Sequence, residues 1–549
     1  MRHAPSAAAI ALAAIIASSC SGGGNTSSST GPQGGGLVAG KPHYGGELRV
    51  GSGAANIKTM LSLYADTQGA ADMLGFMYDG LTNQDENFKV VPWLAQSWTI
   101  SPDGRTYVFH LRHDAKWSDG VPLTSADFMF EHALETNPAS NAPYASDWAT
   151  VQSMSAPDKW TLVYHLYQPN APFLSTIGSL PHAPLPVHIY GNVAPGQMQH
   201  LDLTKHLITS GGYMLQEWKP DDHVIMVSNH NWWHGRPYID RIYYKEYLSD
   251  PATQVALQNG DVDTEFQLGT PDWLALKNDP KFILIHNPAD TWDWWVPNLT
   301  TPILGDLHVR QAMMYGYDRV TEAQKLFHGE DIPAFSPIPL AQKWAFDPAT
   351  LTAYPYDPPK AGQILDADGW KMGQDGWRYK DGKRLEIQTN LIAGNAVGDK
   401  DFELLQADMK AIGIKLDAHQ IEFNVYFDQE AKGQFELDGG GFGGGGDPDV
   451  YQFLSSKSLP PNGLNYAHYS NPKMDALIEQ AREATDPAIR AKYYYQIQEL
   501  CIQDVPYLFD VAPYYRNVIN KRVQGVDPAK TGSYFSQTMY YEPEWWIAQ

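Results

Sequence analysis

Cysteine is almost missing from this sequence: 549 residues contain two, Cys20 and Cys501. Two are too few for a Cys-based zinc site. Cys501, within Glu499-Leu500-Cys501-Ile502, reads as a small buried hydrophobe. Positive charge is also scarce. Thirty-nine Lys and Arg face 62 Asp and Glu, a formal net charge of −23. Nucleic-acid binding needs basic patches that displace counterions, so that class is disfavoured, as is tight binding to an anionic membrane surface. An acidic surface confers solubility and steers cationic ligands. Long apolar runs are confined to the first 20 residues. Hydrolase and nucleotide signatures are missing too: there is no G-x-S-x-G, no H-E-x-x-H and no P-loop Lys-Ser/Thr.

What is present begins with length. The chain is too long for one hydrophobic core, so at least two domains are expected. Hydrophobic residues at 43% and charged residues at 18% fit a globular protein. Seventeen Trp and 31 Tyr fill cores, and also suit a ligand cleft or an interface, where rigid aromatic area is useful.

The N-terminus, MRHAPSAAAIALAAIIASSC, has a positive start at Arg2 and an apolar run from Ala7 to Ala17, too short to span a bilayer as a mature helix. The small residues Ala17-Ser18-Ser19 then precede Cys20. This arrangement resembles the lipobox of bacterial lipoproteins. The resemblance implies cleavage before Cys20, lipidation of its thiol, and a signal peptide over 1–19. An ordinary secretory signal with a chance cysteine is the alternative. The segment 20–43 then reads as the lipidated cysteine followed by a Gly/Ser/Thr-rich flexible tether. With Cys20 used by the anchor, no intrachain disulfide is expected.

In the body, short strands alternate with helices, so mixed α/β domains are expected. Gly45 to Val50 reads as a first strand, and Arg105 to Arg112 alternates as another after the turn Ser101-Pro102-Asp103-Gly104. Thr124 or Ser125 caps a helix. His308 to Asp318 and Pro472 to Gln503 carry the clearest helical patterns.

Tyr78 to Glu135 contains Ala95, Asp103, the strand Tyr107-Val108-Phe109-His110-Leu111-Arg112, then Trp117-Ser118-Asp119-Gly120-Val121-Pro122-Leu123-Thr124 and Ala126-Asp127. This pattern resembles family 5 of the bacterial extracytoplasmic solute-binding proteins, the peptide/nickel/opine-type binding lipoproteins of ABC importers. Gly211 to Ile242, Ala256 to Phe266, Val309 to Arg319, Ala361 to Trp370 and Tyr469 to Ala481 resemble further family segments in order. The resemblance implies a two-lobe periplasmic-binding-protein fold of mixed α+β lobes, with two crossovers and an extra subdomain in the first lobe. Transferred here, lobe I covers 44–288 and 512–549, with the subdomain at about 85–205, and lobe II covers 289–511. It implies a monomer with no cofactor, a small-molecule or peptide ligand, ABC permease subunits as partners, and an extracytoplasmic, lipid-anchored location. A secreted hydrolase on polysaccharide or peptide, and a sugar, opine or metal-chelate binder on the same fold, are the alternatives.

The resemblance also places ligand contacts. Thr67 and Gln68 follow the first strand. Trp294 and Trp295 follow the first crossover and alternate across a strand, so at least one is expected to face the cleft. Asn298 matches a frequent family asparagine. The third region is Asp438 to Val450, DGGGFGGGGDPDV, which offers Phe442, Gly443, Gly444 and Asp447. It matches G-x-G-x-x-G literally, but it runs into Asp-Pro-Asp and lacks an acidic residue about twenty positions on, so a dinucleotide loop is not expected. Peptide binders of the family carry an amine-binding aspartate where anchoring on Asp447-Pro448 puts Gly444. Asp447 or Asp449 is the available replacement. Thr389 to Asp399, where dipeptide binders place an arginine for the peptide carboxylate, contains no basic residue.

His110-x-x-His113-Asp114 has metal-ligand spacing, but the end of an alternating strand sends its side chains in different directions. Asp366-Ala367-Asp368-Gly369 hints at a calcium loop but lacks the sixth-position glycine. Glu542 and Glu544 lie two apart near the C-terminus, an arrangement that suits a tail contact better than a glycosidase pair. No metal or catalytic residue is expected.

Overall fold

The computed structural model describes residues 41–549 except 53–56, 66–67, 204–206, 248, 266–267, 444, 461–462, 532–543 and 549. Cys20, Thr67, Gly444 and Glu542 lie outside the described residues.

Two large sheets organise the chain. The first has seven strands, in the spatial order Phe282–Pro288, Tyr514–Asn520, Thr264–Glu265, Glu47–Ser52, Arg241–Glu246, His223–Ser228 and Tyr213–Lys219. The second has five, in the order Lys415–Ile421, Glu386–Ile392, Leu437–Gly443, Thr291–Pro297 and Leu508–Phe509. Each sheet has its own apolar core. Buried side chains from Leu48 to Ile285 and from Tyr515 to Ile547 form one, and those from Trp292 to Phe509 form the other. Together they give a mixed α/β two-lobe architecture. The chain passes from the first sheet to the second through Ala289 and Asp290, and returns through Val511–Ala512 and Pro513. The return is fastened by Arg516, which donates to both carboxylate oxygens of Asp331 at 2.6 and 2.9 Å.

A four-stranded antiparallel sheet carries a third core, from Leu81 to Ile177. Its Thr106–Leu111 strand buries Tyr107, Phe109 and Leu111 on one face, as period-two alternation requires. The helix Ser125–Glu135 starts at Thr124, whose backbone N–H donates to the Asp127 carboxylate at 2.8 Å. The aromatic-rich turn at Trp232-Trp233 explains itself in space. The indole N–H groups of Trp93, Trp232 and Trp233 all donate to the Asp79 carboxylate, at 2.8, 2.7 and 2.8 Å. Burial raises the Asp79 pKa to about 6, against these three donors.

The helical pattern Pro472 to Gln503 resolves into two helices, Pro472–Glu483 and Pro487–Asp504. Each starts with proline, capped by Asn471 and Asp486 respectively, because proline's missing N–H costs nothing in the first turn. Cys501 is buried on the second helix, and burial raises its thiol pKa. His113 stacks on Trp160 with ring centroids 4.7 Å apart. Asp366 and Asp368 pair with Arg378 and Lys380. Among the described residues no helix is long and apolar enough to cross a membrane.

Candidate functional site

The glycine strand Leu437–Gly443 lies between Glu386–Ile392, parallel, and Thr291–Pro297, antiparallel. Its register accounts for part of the glycine run. Trp295 pairs with Gly439, Trp294 with Gly440, Asp293 with Gly441 and Thr291 with Gly443. Paired residues point to the same face, so Gly439 and Gly441 leave room for the side chains opposite. A Cβ on Gly439 would stand 3.0 Å from the Trp295 ring, and one on Gly440 3.5 Å from Trp294 Nε1. A Cβ on Gly441 would collide with Asp293 Oδ1. At the end of the strand Gly443 is exposed, with nothing within 4 Å of where a Cβ would lie.

The cleft-facing tryptophan expected from alternation is not found. Trp294 and Trp295 are 7% and 1% exposed. Trp294 packs among Phe453, Tyr507 and Phe509, and Trp295 against Phe402. Alternation sorts side chains between two faces, and here both faces of a central strand are covered. Asn298 is likewise structural. Its amide donates to the carbonyls of Gly433 and Phe435 at 3.1 and 3.0 Å, which ties down the chain entering the glycine strand. Asp447 is not a free acceptor either. Arg490 binds it through two nitrogens at 2.9 and 2.7 Å. Asp449 pairs with Arg482 at 3.3 Å. Gln68 opens the helix Gln68–Leu74, and Phe442 lies within the glycine strand opposite Trp292.

The turn after the glycine strand joins the two halves of the molecule. Gly446 N–H donates to buried Asp290, the crossover residue, at 2.9 Å, and Gln342 Nε2 donates to the other oxygen of Asp290 at 2.9 Å. The Gly446 carbonyl accepts from Gln84 Nε2, 2.9 Å away. Gly446 has φ +80°, and a Cβ there would collide with the Gln84 amide. Farther along, Ala171 N–H donates to the Arg482 carbonyl at 2.7 Å. On the crossover side, Trp273 and Lys277 reach Glu330 at 2.9 and 2.5 Å.

The crossover also assembles an acidic group that the sequence did not suggest. Asp293, Glu322, Asp331, Asp401 and Asp510 come from separate segments. Oxygens of Glu322, Asp401 and Asp510 lie within 4.8 Å of one another. The Asp293 carbonyl accepts from Asp510 N–H at 3.4 Å, and the Tyr317 hydroxyl donates to Asp401 at 3.3 Å. Burial, with the neighbouring Asp331 and Asp401 charges, pushes Asp293 up to about 7. Burial holds Asp331 and Asp401 at about 6. Burial and the Asp510 and Asp401 charges raise Glu322 as well. Asp293 and Asp401 remain partly exposed, while Glu322, Asp331 and Asp510 are buried.

Two lobes joined by two crossovers define the periplasmic-binding-protein fold. Sequence comparison gives the family: residues 89–465 match the model for bacterial extracellular solute-binding proteins, family 5 Middle, and the chain belongs to that family. It is 26% identical over 517 residues to the oligopeptide-binding protein AppA of Bacillus subtilis, covering 93% of each chain. The solved AppA structure, in complex with a nonapeptide, aligns at TM-score 0.76 over 93% of this chain and 100% of AppA. Heme-binding protein A of Haemophilus influenzae is 28% identical over 446 residues, 76% of this chain and 78% of that protein. NikZ of Campylobacter jejuni, in complex with Ni(L-His), shares the fold at TM-score 0.76 and 24% identity, over 91% of this chain and 99% of NikZ.

Proposed function

We propose that this chain is the substrate-binding lipoprotein of an ABC importer, monomeric and anchored outside the cytoplasmic membrane through Cys20. In this reading 44–288 and 512–549 form lobe I, with a subdomain at about 85–205, and 289–511 form lobe II. The lobes close on a solute by hinge motion and present it to the permease. The observation that carries the reading is the bond from Gln84 to the Gly446 carbonyl, which ties the first half to the turn beside the exposed Gly443 backbone. Binding favours such a closed state only through contacts that the open state lacks.

The ligand we favour is a short peptide or peptide-like compound, held through backbone contacts at Gly443 and Gly444 rather than by a clamp on both termini. Engagement of Asp447 and Asp449 by arginines supports this, as does the lack of a basic residue from Thr389 to Asp399. A non-peptide solute on the same fold is the second reading, favoured by the same two features. Calorimetry with di- to pentapeptides, free and N-acetylated, tests the mode. Binding that improves with length supports backbone capture. Sub-micromolar dipeptide binding abolished by N-acetylation contradicts it, and sustained release of cleaved product contradicts a binding protein altogether.

A further inference from the structure

The acidic group at the crossover has a composition that hinge construction alone does not require. Its carboxylates outnumber its cations, and both nearby guanidinium groups are committed. Arg516 is spent on Asp331. Arg319 donates to the carbonyls of Ala334, Ala353 and Tyr354. Glu322 is 1% exposed, and neither of its oxygens has a hydrogen-bond partner, though it sits among the oxygens of Asp401 and Asp510. Buried carboxyl groups in this state either hold a proton or take an N–H donor from a bound group.

Asp293 is where such a donor can arrive. It is the third residue of the strand entering the second sheet, and it is partly open to solvent. It points to the same face as Thr291 and the exposed Gly443, along the edge where the solute is placed above. Gly441 opposite it is the one residue type that leaves its carboxylate in position. Asp401, partly exposed near the start of the helix Ala396–Ala411, is the second reachable carboxylate. Glu322 and Asp510 stand behind as enclosed carboxyl groups.

We propose that this recess receives a cationic group of the captured solute, an ammonium or a guanidinium, with Asp293 as the contact carboxylate and Asp401 beside it. The assignment rests on the solute-capture reading and narrows its substrate class. An organic cation fits better than a bare metal ion. Asp331 is already satisfied, and two reachable carboxylates fall short of the six to eight oxygens that calcium takes. An ammonium or guanidinium carries several N–H donors and is matched by two such acceptors.

The test is calorimetry on the full chain with matched tripeptides, Ala-Lys-Ala against Ala-norleucine-Ala, each free and N-acetylated, with spermidine and with Mn²⁺ or Ca²⁺ alone. Wild type, Asp293→Asn and, as a control away from the recess, Asp438→Asn are compared. The expected result is a preference for the cationic probe of about ten-fold or more. Asp293→Asn should abolish it while leaving the neutral peptide's affinity intact, and Asp438→Asn should preserve it. The two peptides differ only in the side-chain ammonium, so a preference that survives N-acetylation supports the proposal, and one that N-acetylation removes overturns the side-chain assignment. Equal affinity for the lysine and norleucine peptides overturns the cation recess and leaves solute capture standing. Tight metal binding with no preference for organic cations also overturns it, in favour of a metal site. No binding by any probe to any variant contradicts capture and recess together.

Discussion

The Asp293 carboxylate fills the space that a Cβ on Gly441 would need. The two residues are register partners across an antiparallel pair, so the glycine and the acid form one unit. Trp295 crowds Gly439 in the same sense, at 3.0 Å, whereas on the opposite face a Cβ on Gly440 would meet Trp294 at ordinary contact distance. A run that looks like a flexible loop is largely an ordered strand cut away to seat its neighbour's side chains.

Gly441→Ala should therefore displace Asp293. The expected cost is about 1–3 kcal/mol of stability from overpacking, read by chemical denaturation. Solute affinity should fall with it, more for a cationic probe than for its neutral match. An alanine variant with unchanged stability and affinity would show that Asp293 moves aside freely.

Trp295→Ala should act on stability alone. Removing a fully enclosed indole costs about 3–5 kcal/mol, while the dissociation constant for any captured solute should stay within about two-fold. A large affinity loss with little destabilisation would return this residue to the cleft.

A pH effect follows from a second buried acid, Asp438. Burial, with the nearby Glu430 charge, pushes its pKa up to about 8. Its Oδ1 accepts from Asn390 N–H at 3.4 Å, and its other oxygen is unpartnered. The folded state holds the proton more tightly than the unfolded chain does. The stabilising contribution is thus complete below the ordinary carboxylate pKa and is lost as pH rises through 8. Glu430, raised by burial to about 7, acts in the same direction. Asp438→Asn keeps the acceptor and removes the titration. It should raise stability at pH 8 by on the order of a few kcal/mol and leave pH 4 nearly unchanged. Denaturation midpoints across pH 4–9 check this, and a variant whose pH slope equals the wild type's would contradict it.

Gln84→Ala removes a donor that links the two halves at Gly446. A single neutral hydrogen bond is worth about 0.5–1.5 kcal/mol, so solute affinity should fall by roughly 2- to 12-fold. The unliganded protein should be more expanded by small-angle scattering. Unchanged affinity and dimensions would remove this bond from the closing mechanism.

Legibility divided along physical lines. The family pattern from Ala95 to Asp127 was readable because its strand, turn and capped helix are local. The strand Thr106–Leu111 and the Thr124 cap lie where local rules put them. Trp294 and Trp295 were read by alternation, which divides two faces but carries no information on what covers each. Asp447 looked like a free carboxylate because Arg490 lies 43 residues away in sequence. The acidic recess was invisible for the same reason. Asp293, Glu322, Asp331, Asp401 and Asp510 sit on separate segments, and only the crossover brings them together. The glycines asked for register: Gly441 acquires a purpose only once Asp293 is known to lie opposite.

The central claim is capture of one solute between two lobes without chemistry. Native mass spectrometry of the chain, after exposure to a peptide- and amine-rich extract, tests it most directly. The expected result is a single small-molecule adduct per chain, released intact on unfolding and bearing a basic nitrogen. A chain that retains nothing from any fraction, or that returns chemically altered products to solution, would contradict it.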